Sequence, residues 1–322
     1  MFRNKRFASL LLLIGLMLVG SVSQAQDPAF TQFYANPMYL NPAFAGTSVC
    51  PRIALNYRNQ WPSISGQFVT YSASYDQHSD PLNGGLGFHI MRDSEGEGTI
   101  NTTNVSGIYS YKLDVNRKFA MKAGFQATYF QKAIDWNRLT FGDQIDSKYG
   151  FIYQSQEIPG QNTKVGVDFS AGLLGYSEKF FFGLAVHHLA EPDETLISGQ
   201  SRLPRKYTLH GGAAIPLNKK RKEDGTISPN ILFQRQGDFN QLNLGVYVNK
   251  GPLVGGLWFR NGDAFIALLG IQAGRVKIGY SYDVTISKLS SASGGAHEIS
   301  FQLQLPCRVK RRKLREVSCP SF

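Results

Sequence analysis

Apolar and polar residues alternate with a period of two along most of the chain beyond residue 50. The alternation is clearest in the segments 67–75, 276–287 and 297–305. From residue 299 to residue 305, for example, every odd position is apolar and every even position is polar. This pattern is typical of β-strands with one apolar and one polar face, and helical periodicity is weak after the N-terminal segment. The sequence therefore predicts an all-β protein.

Turn signals divide the alternating region into about fourteen predicted strands. Asn261–Asp263 and Asn249–Gly251 are tight hairpin signals between apolar alternating segments. The predicted strands lie near residues 52–58, 67–76, 84–92, 100–111, 117–131, 165–177, 180–190, 205–217, 228–236, 239–249, 251–261, 263–274, 275–287 and 296–305. Most of them approach or exceed the about 9–11 residues that a tilted strand needs to cross a bilayer.

A soluble β-sandwich and a membrane β-barrel both produce such a pattern, but they place the apolar face on opposite sides. The polar faces here are rich in Ser, Thr, Gln, Asn and Gly and poor in charge, unlike the surface of a soluble domain. Aromatic residues also lie near strand ends, as in an interfacial girdle: Tyr57, Trp61, Phe119, Tyr129, Trp258, Phe259, Tyr280 and Tyr282. We therefore predict a transmembrane antiparallel β-barrel of about 14 strands in the outer membrane.

Loop lengths predict how this barrel is oriented. With both termini in the periplasm, the odd-numbered connections are extracellular, and they include 59–66, 93–98, 132–164, 191–204 and 288–295. The other connections are mostly short, apart from the polar segment 218–227. Long extracellular loops and short periplasmic turns are the usual arrangement.

Residues 1–25 have the features of a cleaved secretory signal. Arg3, Lys5 and Arg6 precede the apolar run Leu10–Val19, and small residues follow up to Ala25. The alternative, an N-terminal membrane anchor, is disfavoured because a spanning helix needs about 20 apolar residues. We divide the chain into the signal (1–25), an N-terminal periplasmic or plug segment (26–49), the barrel (50–305) and a basic periplasmic tail (306–322).

The net charge of +11 is concentrated outside the predicted strands. The signal carries three of the basic residues, and the rest of the excess lies mostly in one turn and in the tail. These basic residues are Lys219, Lys220, Arg221, Lys222, Arg308, Lys310, Arg311, Arg312, Lys313 and Arg315. They are either a solvated charge run or a docking patch for an acidic periplasmic surface or headgroups. Nucleic acid is excluded as a partner because the chain is exported.

Three cysteines flank the barrel. Cys50 precedes the first predicted strand, Cys307 follows the last, and Cys319 lies in the tail. The periplasm permits disulfides, but the sequence leaves the three possible pairings and the fully reduced state open. We favour a bridge from Cys319, which would hold the tail as a docking surface.

No catalytic, cofactor or metal site is predicted. The segment Asp168–Gly172 lacks the first glycine of a nucleophile elbow and lies within a predicted strand. His187 and His188 are adjacent in a predicted strand, so their side chains should point to opposite faces. The inward charges Lys122, Lys277, Asp283 and Glu298 are expected to form a satisfied network in the lumen. We therefore expect a protein that is not an enzyme.

The predicted mature N-terminus carries two motifs. Residues 26–37 read QDPAFTQFYANP, and residues 40–46 read LNPAFAG. This opening resembles the PorP/SprF family of Bacteroidetes outer-membrane proteins, with its Q-(F/Y)-x-x-N and N-P-A-(F/Y)-A-G segments. The matching residues are Gln32, Phe33, Tyr34, Asn36, Pro37, Asn41, Pro42, Ala43, Phe44 and Gly46. The resemblance implies a component of the type IX secretion system, and some members serve as outer-membrane partners of secreted proteins or gliding adhesins.

The composition of this segment also predicts a structural role. Its prolines exclude a regular helix or a central strand. A fourteen-stranded barrel is wide enough to be partly open unless something fills it. We expect residues 26–49 to fold into the periplasmic mouth as a plug, with Phe33, Tyr34, Tyr39 and Phe44 on the inner wall. The alternative is a mobile periplasmic leader.

Together these observations predict a binding and export partner embedded in outer-membrane lipid. Its ligands would be a secreted client with a C-terminal sorting domain, or an adhesin, and periplasmic or lipoprotein subunits of the secretion machinery. The 132–164 and 191–204 loops are the candidate client contacts. The alternatives are a small-solute diffusion channel and a structural barrel that anchors envelope proteins.

Overall fold

A computed structural model describes residues 27–48, 50–116, 118–157, 160, 162–196, 200–218, 225–287 and 293–307. In these residues the chain forms one antiparallel sheet of fourteen long strands. The strands are β1 (Arg52–Gln60), β2 (Phe68–Ser79), β3 (Gly84–Glu95), β4 (Ile100–Asp114), β5 (Phe119–Ile134), β6 (Thr163–Ser177), β7 (Phe180–His187), β8 (Lys206–Ala213), β9 (Thr226–Gln236), β10 (Phe239–Lys250), β11 (Leu253–Arg260), β12 (Ala264–Ala273), β13 (Val276–Thr285) and β14 (Ala296–Gln304).

The sheet closes on itself. Each strand pairs with its neighbours in the chain, and β1 pairs with β14 from Arg52↔Gln304 to Gln60↔Ala296. A two-residue strand, Ile215–Pro216, follows β8 after Ala214 and also pairs with β9. The predicted antiparallel barrel and its strand count are confirmed.

The barrel wall has apolar residues outside and polar residues inside. Leu257 and Leu269, for example, are 66% and 72% exposed on the outer face. Side chains such as Asn243, Ser281 and Glu298 are completely buried on the inner face. An apolar exterior and a polar interior are the features of a lipid-embedded barrel.

No helix in the described part of the chain is long and apolar enough to cross a membrane.

The two ends of the barrel differ in their connections. At the end where β1 begins and β14 ends, five of the six connections have two to four residues, and the longer sixth joins Ala213 of β8 to Thr226 of β9. We call this the short-turn end. The opposite long-loop end carries the 135–162 and 188–205 connections. The 135–162 loop contains 3-10 turns at Trp136–Arg138 and Gly142–Gln144 and a small hairpin of Ile145–Asp146 with Gly150–Phe151.

A disulfide joins Cys50 to Cys307 at the short-turn end, with the two Cα atoms 5.5 Å apart. It therefore lies across the β1–β14 seam. The preference for a bridge from Cys319 is wrong, because the pairing of β1 with β14 brings the two flanking cysteines together. Cys319, the predicted signal, the basic turn 219–222 and the basic residues 308–315 lie outside the described residues.

Residues 27–48, which we call the lumen segment, lie inside the barrel. They contain a 3-10 turn (Phe33–Ala35), a one-turn α-helix (Pro37–Leu40) and a second 3-10 turn (Pro42–Phe44). Proline opens two of these turns because its fixed φ suits the first turn of a helix and its missing N–H is not needed there. The segment is not confined to the periplasmic mouth as predicted. It runs from the long-loop end at Asp27 to the short-turn end at Ser48.

Candidate functional site: the lumen segment and the vestibule above it

A carboxylate on the barrel wall holds the backbone of the lumen segment near the long-loop end. Glu298 of β14 accepts hydrogen bonds from the backbone N–H groups of Thr31 at 2.6 Å and Gln32 at 3.0 Å. The Gln32 side chain donates to the carbonyl of Glu298 and accepts from the Ser300 hydroxyl. The segment therefore satisfies its own backbone donors through the wall, as a buried non-helical chain must.

Four buried charged residues surround the hydroxyl of Thr31. Arg58 donates to Thr31 Oγ1 at 2.6 Å and to Asp283 at 2.9 Å. Arg260 donates to the same two groups at 3.0 and 3.2 Å, and Thr31 donates to Asp283. Arg58 also pairs with Glu298 at 3.2 Å. Two guanidinium groups and two carboxylates therefore balance each other around one residue of the segment.

Aromatic rings fix the segment laterally. Phe33 packs edge-on against Trp258 with centroids 5.1 Å apart, and Tyr34 packs edge-on against Phe181 at 5.4 Å. Phe44 stacks on His210 of β8. Trp258 is thus buried in the lumen and is not part of the outer aromatic girdle that the sequence suggested, because it occupies an inward position of β11.

The family-motif asparagines bind the wall at mid-height. Asn41 Nδ2 donates to the carbonyls of Leu173 and Leu184, at 3.0 and 3.3 Å, while its Oδ1 caps Ala43 N–H. Asn36 Nδ2 donates to Ser72 of β2. The segment therefore contacts strands on different sides of the lumen.

The end of the segment is held at the short-turn end. The carbonyl of Ala45 accepts from Ser110 Oγ at 2.7 Å and from Lys122 Nζ. Gly46 donates its N–H to Asp76 at 2.8 Å, and Arg52 pairs with the same carboxylate. Gly46 has a φ of +63°, a conformation that glycine adopts without steric cost.

Glycines on the wall create room for the segment. A Cβ added at Gly124 would lie 2.3 Å from the backbone nitrogen of Ala43, and one added at Gly85 would lie 2.2 Å from the carbonyl oxygen of Ala45. Such distances are far inside van der Waals contact. The backbone of the segment therefore lies directly against the backbone of β3 and β5.

An ion-pair cluster holds Asp27 at the long-loop end. His188 donates from Nε2 to Asp27 at 2.8 Å and from Nδ1 to Asp168 at 2.7 Å, and Lys206 pairs with Asp27 at 2.6 Å. Burial opposes the charge of His188, but the Asp27 and Asp168 carboxylates outweigh it and raise the pKa of His188 to about 9. Burial also disfavours the Asp27 anion, but His188 and Lys206 hold its pKa well below the usual range.

The backbone conformation of His188 places its ring between Asp27 and Asp168. Its φ is +57°, which is costly for a residue with a β-carbon. The turn follows the last residue of β7 and brings the ring next to His187, with centroids 6.4 Å apart. The prediction that the two rings point to opposite faces is wrong, because the strand ends at His187.

Two of the cavities at this end lie between the lumen segment and the wall. The smaller, of about 140 Å³, is lined by Asp27, His188 and inward residues of β3 to β8. The larger, of about 530 Å³, lies beneath the 61–67 and 261–263 loops, and we call it the vestibule. Four residues line both cavities: Asp27, Pro28, Asp93 and Glu95.

The comparison with family models identifies this architecture. A model described as type IX secretion system membrane protein PorP/SprF matches residues 22–303. The chain belongs to the PorP/SprF family. The predicted resemblance is confirmed, and the match includes the whole lumen segment and the barrel up to β14. A PorP/SprF barrel of this kind is an outer-membrane component of the type IX secretion system, in contact with membrane lipid and with the secretion machinery.

Solved structures with similar folds share little sequence with this PorP/SprF protein. The KdgM porin is 12% identical with a TM-score of 0.38, and the match covers 79% of this chain and 99% of that one. A Pseudomonas aeruginosa FadL homologue is 11% identical with a TM-score of 0.47, covering 88% and 100%. A double mutant of the Rh. blastica porin is 8% identical with a TM-score of 0.32, covering 80% and 99%. No curated protein matches the chain.

All ten family-motif residues of this PorP/SprF protein lie in the lumen segment, and only Tyr34 among them is not fully buried. The wall partners of the lumen segment were not identified from the sequence, apart from Lys122, Asp283 and Glu298 as members of a lumen network. Arg58 and Arg260 could have been found as arginines at polar positions of the alternating strands. The contact between His188 and Asp27 left no signal in the sequence.

The segment Asp168–Gly172, which partly resembles a nucleophile elbow in the sequence, lies in the wall of the PorP/SprF barrel. Ser170 is a buried, inward residue in the middle of β6, and Asp168 pairs with His188. Among the described residues, no group of three or more His, Cys, Asp or Glu is arranged to hold a metal ion.

Proposed function

We propose that this barrel captures a secreted client protein at its long-loop end and acts through recognition, without catalysing a reaction or conducting solutes. The observation that carries the proposal is the filled lumen. Residues 27–48 extend from one end of the barrel to the other and bind strands on several sides. A small-solute channel would need a continuous aqueous path through this region.

The contacts of the lumen segment support a fixed plug. Thr31 is bonded to β1, β11 and β13, Asn41 to β6 and β7, and Ala45 to β4 and β5. Most of these bonds are buried, and several involve charged groups, which form the stronger class of hydrogen bonds. At Gly85 and Gly124 the wall leaves room for the backbone of the segment and for nothing larger.

An exposed apolar surface supports client capture at the long-loop end. The hairpin of the 135–162 loop exposes five large apolar side chains, each at least half exposed: Ile145, Tyr149, Phe151, Ile152 and Tyr153. The backbone beneath them is held by Asp146, which accepts from the N–H groups of Lys148 and Tyr149. An ordered apolar patch outside the membrane is typical of a protein-binding surface.

On this proposal the other end of the barrel serves the secretion machinery. The basic turn 219–222 and the tail residues 308–315 would add positive charge at the short-turn end, in the periplasm. Periplasmic or lipoprotein subunits with acidic surfaces are the expected partners there.

Co-purification from native membranes tests client capture. The wild-type protein should retain a secreted protein with a C-terminal sorting domain, identified by mass spectrometry. The double substitution Tyr149→Ser with Phe151→Ser should reduce the retained client at least tenfold. The matched control, Lys148→Ser with Glu157→Ser, changes exposed polar residues of the same loop and should retain it. Equal capture by both variants would remove the hairpin from the proposal.

Planar-bilayer conductance distinguishes the proposed filled barrel from a small-solute diffusion channel. We expect the purified wild-type barrel to give no stable open-channel current, and a variant that lacks residues 27–44 to conduct. A wild-type protein that conducts as strongly as this deletion would favour the diffusion channel.

A further inference from the structure

The smaller cavity at the long-loop end carries more carboxylates than cations. Five carboxylates line it, Asp27, Asp93, Glu95, Asp168 and Glu194, together with two lysines and His188. The cations are already engaged. Lys206 pairs with Asp27, Lys132 pairs with Glu194 at 2.8 Å, and His188 bridges Asp27 and Asp168.

Asp93 and Glu95 have no cation of their own, since Lys132, which attracts Glu95, is already paired with Glu194. They lie two residues apart on the inner face of β3, and neither forms an ion pair with another described residue. Asp93 is 5% exposed and accepts a hydrogen bond from Thr70 at 2.6 Å. Asp93 and Glu95 lie within hydrogen-bonding reach of each other. Two carboxylates so placed repel each other unless one takes up a proton, and a bound cation would relieve the same repulsion.

Two further acceptors point to a donor ligand. Asp168 and Gln126 line the same cavity and are 4% and 8% exposed. Asp168 Oδ1 and Gln126 Oε1 accept no hydrogen bond from any described residue. A buried acceptor without a donor costs on the order of 1–3 kcal/mol, so a site with two of them is suited to a ligand rich in N–H groups.

We infer that this cavity binds a guanidinium or ammonium group on a flexible stem, with Asp93, Glu95, Asp168 and Gln126 as its acceptors. The volume of about 140 Å³ is below the range of ordinary small-molecule pockets and suits a single long side chain. Arginine, with five N–H donors in a planar fork, satisfies such a set best.

The vestibule supplies room for the rest of the ligand. It has about 530 Å³ and shares Asp93 and Glu95 with the smaller cavity. Trp61, Phe68 and Phe239 line it, and the rings of Trp61 and Phe68 are in edge-to-face contact. Aromatic side chains next to two carboxylates suit a polypeptide that inserts one basic side chain. In naming a polypeptide as the source of the cation, the inference rests on the proposed client-binding function.

Titration calorimetry with the purified full-length barrel tests the inference. The probes are acetyl-Gly-Arg-Gly-amide, the same peptide with neutral citrulline in place of arginine, and spermidine as a free polyamine. We expect the arginine peptide to bind at least tenfold more tightly than the citrulline peptide and than spermidine. The double substitution Asp93→Asn with Glu95→Gln should abolish this difference, while Asp238→Asn, at an exposed turn of the same end, should preserve it.

The outcomes separate the parts of the inference. Equal binding of the arginine and citrulline peptides to the wild type overturns it without any variant having to fold. Tighter binding of spermidine would overturn the polypeptide as the source of the cation. A barrel that captures its client but binds no arginine peptide would refute the cation pocket alone, whereas peptide binding without client capture would refute the proposed function alone.

Discussion

His188 Nε2 lies 2.8 Å from Asp27 Oδ2, and this contact joins the start of the lumen segment to the end of β7. The same ring reaches Asp168 of β6 through Nδ1. The segment is therefore attached at its far end from the Cys50–Cys307 disulfide. A chain of 22 described residues is held at both ends of the barrel, which limits how far either end can move alone.

The His188 contact makes the stability of the segment depend on pH. The folded-state pKa of about 9 lies above the value of about 6.5 for an unfolded histidine. The contribution is therefore complete below about pH 6.5 and is lost as the pH rises through about 9. We expect a loss of about 3 kcal/mol between pH 6 and pH 10, measured by urea unfolding in detergent.

Two variants control for other titrating groups. His188→Gln should be less stable at pH 6 and should lose most of this dependence. His78→Gln, at the short-turn end, should keep it. Asp27 has its effect at acidic pH. Because its folded-state pKa is lowered, its contribution to stability is present above about pH 4 and is lost as the pH falls through the folded-state pKa. A His188→Gln profile that parallels the wild type would contradict the role of this contact.

Alanine substitution should have different effects at two glycines of the wall, Gly124 and Gly107. Gly124→Ala places a methyl group 2.3 Å from Ala43 N, so the lumen segment must shift. Overpacking of this kind typically costs about 1–3 kcal/mol. Faster hydrogen exchange in residues 41–46 measures the shift. The control is Gly107→Ala, where an added Cβ meets nothing within 4 Å, and it should leave the exchange unchanged.

Removal of the Glu298 carboxylate should release the start of the segment. Glu298→Ala leaves the Thr31 and Gln32 N–H groups and one side of Arg58 without their acceptor. Breaking a buried pair in this way costs about 3–5 kcal/mol. Urea unfolding gives the cost, and protease cleavage near residue 31 reports local release. Glu97→Ala, in an exposed turn, is the comparison, and equal losses in the two variants would argue against the anchor.

The disulfide predicts a definite thiol count. Without reductant, a maleimide should label one cysteine in the mature protein, and after reduction it should label three. Cys307→Ser should lower the free energy of unfolding by about 2–4 kcal/mol, since the cross-link joins residues 257 positions apart. Cys319→Ser should have no such effect, and a stability loss in that variant would indicate a different pairing.

Strand periodicity was sufficient to predict the barrel. Because side chains alternate across a strand, the apolar positions of β13 and β14 define the lipid face without any knowledge of their neighbours. The same rule identified Asp283 and Glu298 as inward charges. It failed for Trp258, since a large aromatic residue suits either side of the wall and only the presence of Phe33 opposite makes the inside favourable.

The path of the N-terminal segment could not be predicted in the same way. Its prolines excluded a strand and its aromatic residues indicated packing, but neither shows how far into the barrel the chain extends. The distance is set by partners more than a hundred residues away, such as Asp27 with His188 and Thr31 with Asp283. The left-handed turn that brings His188 inward has no glycine to mark it.

The sequence alone therefore determined the class of wall, the number of strands and the family motif, because these depend on local alternation and short spacing. Only the tertiary structure decided what fills the lumen. Barrel closure brings β1 against β14, and with them Cys50 against Cys307 and Arg58 against Glu298. It also leaves Asp93 and Glu95 facing a cavity whose cations are paired with other carboxylates, since charge balance in a lumen depends on residues that meet only when the sheet has closed.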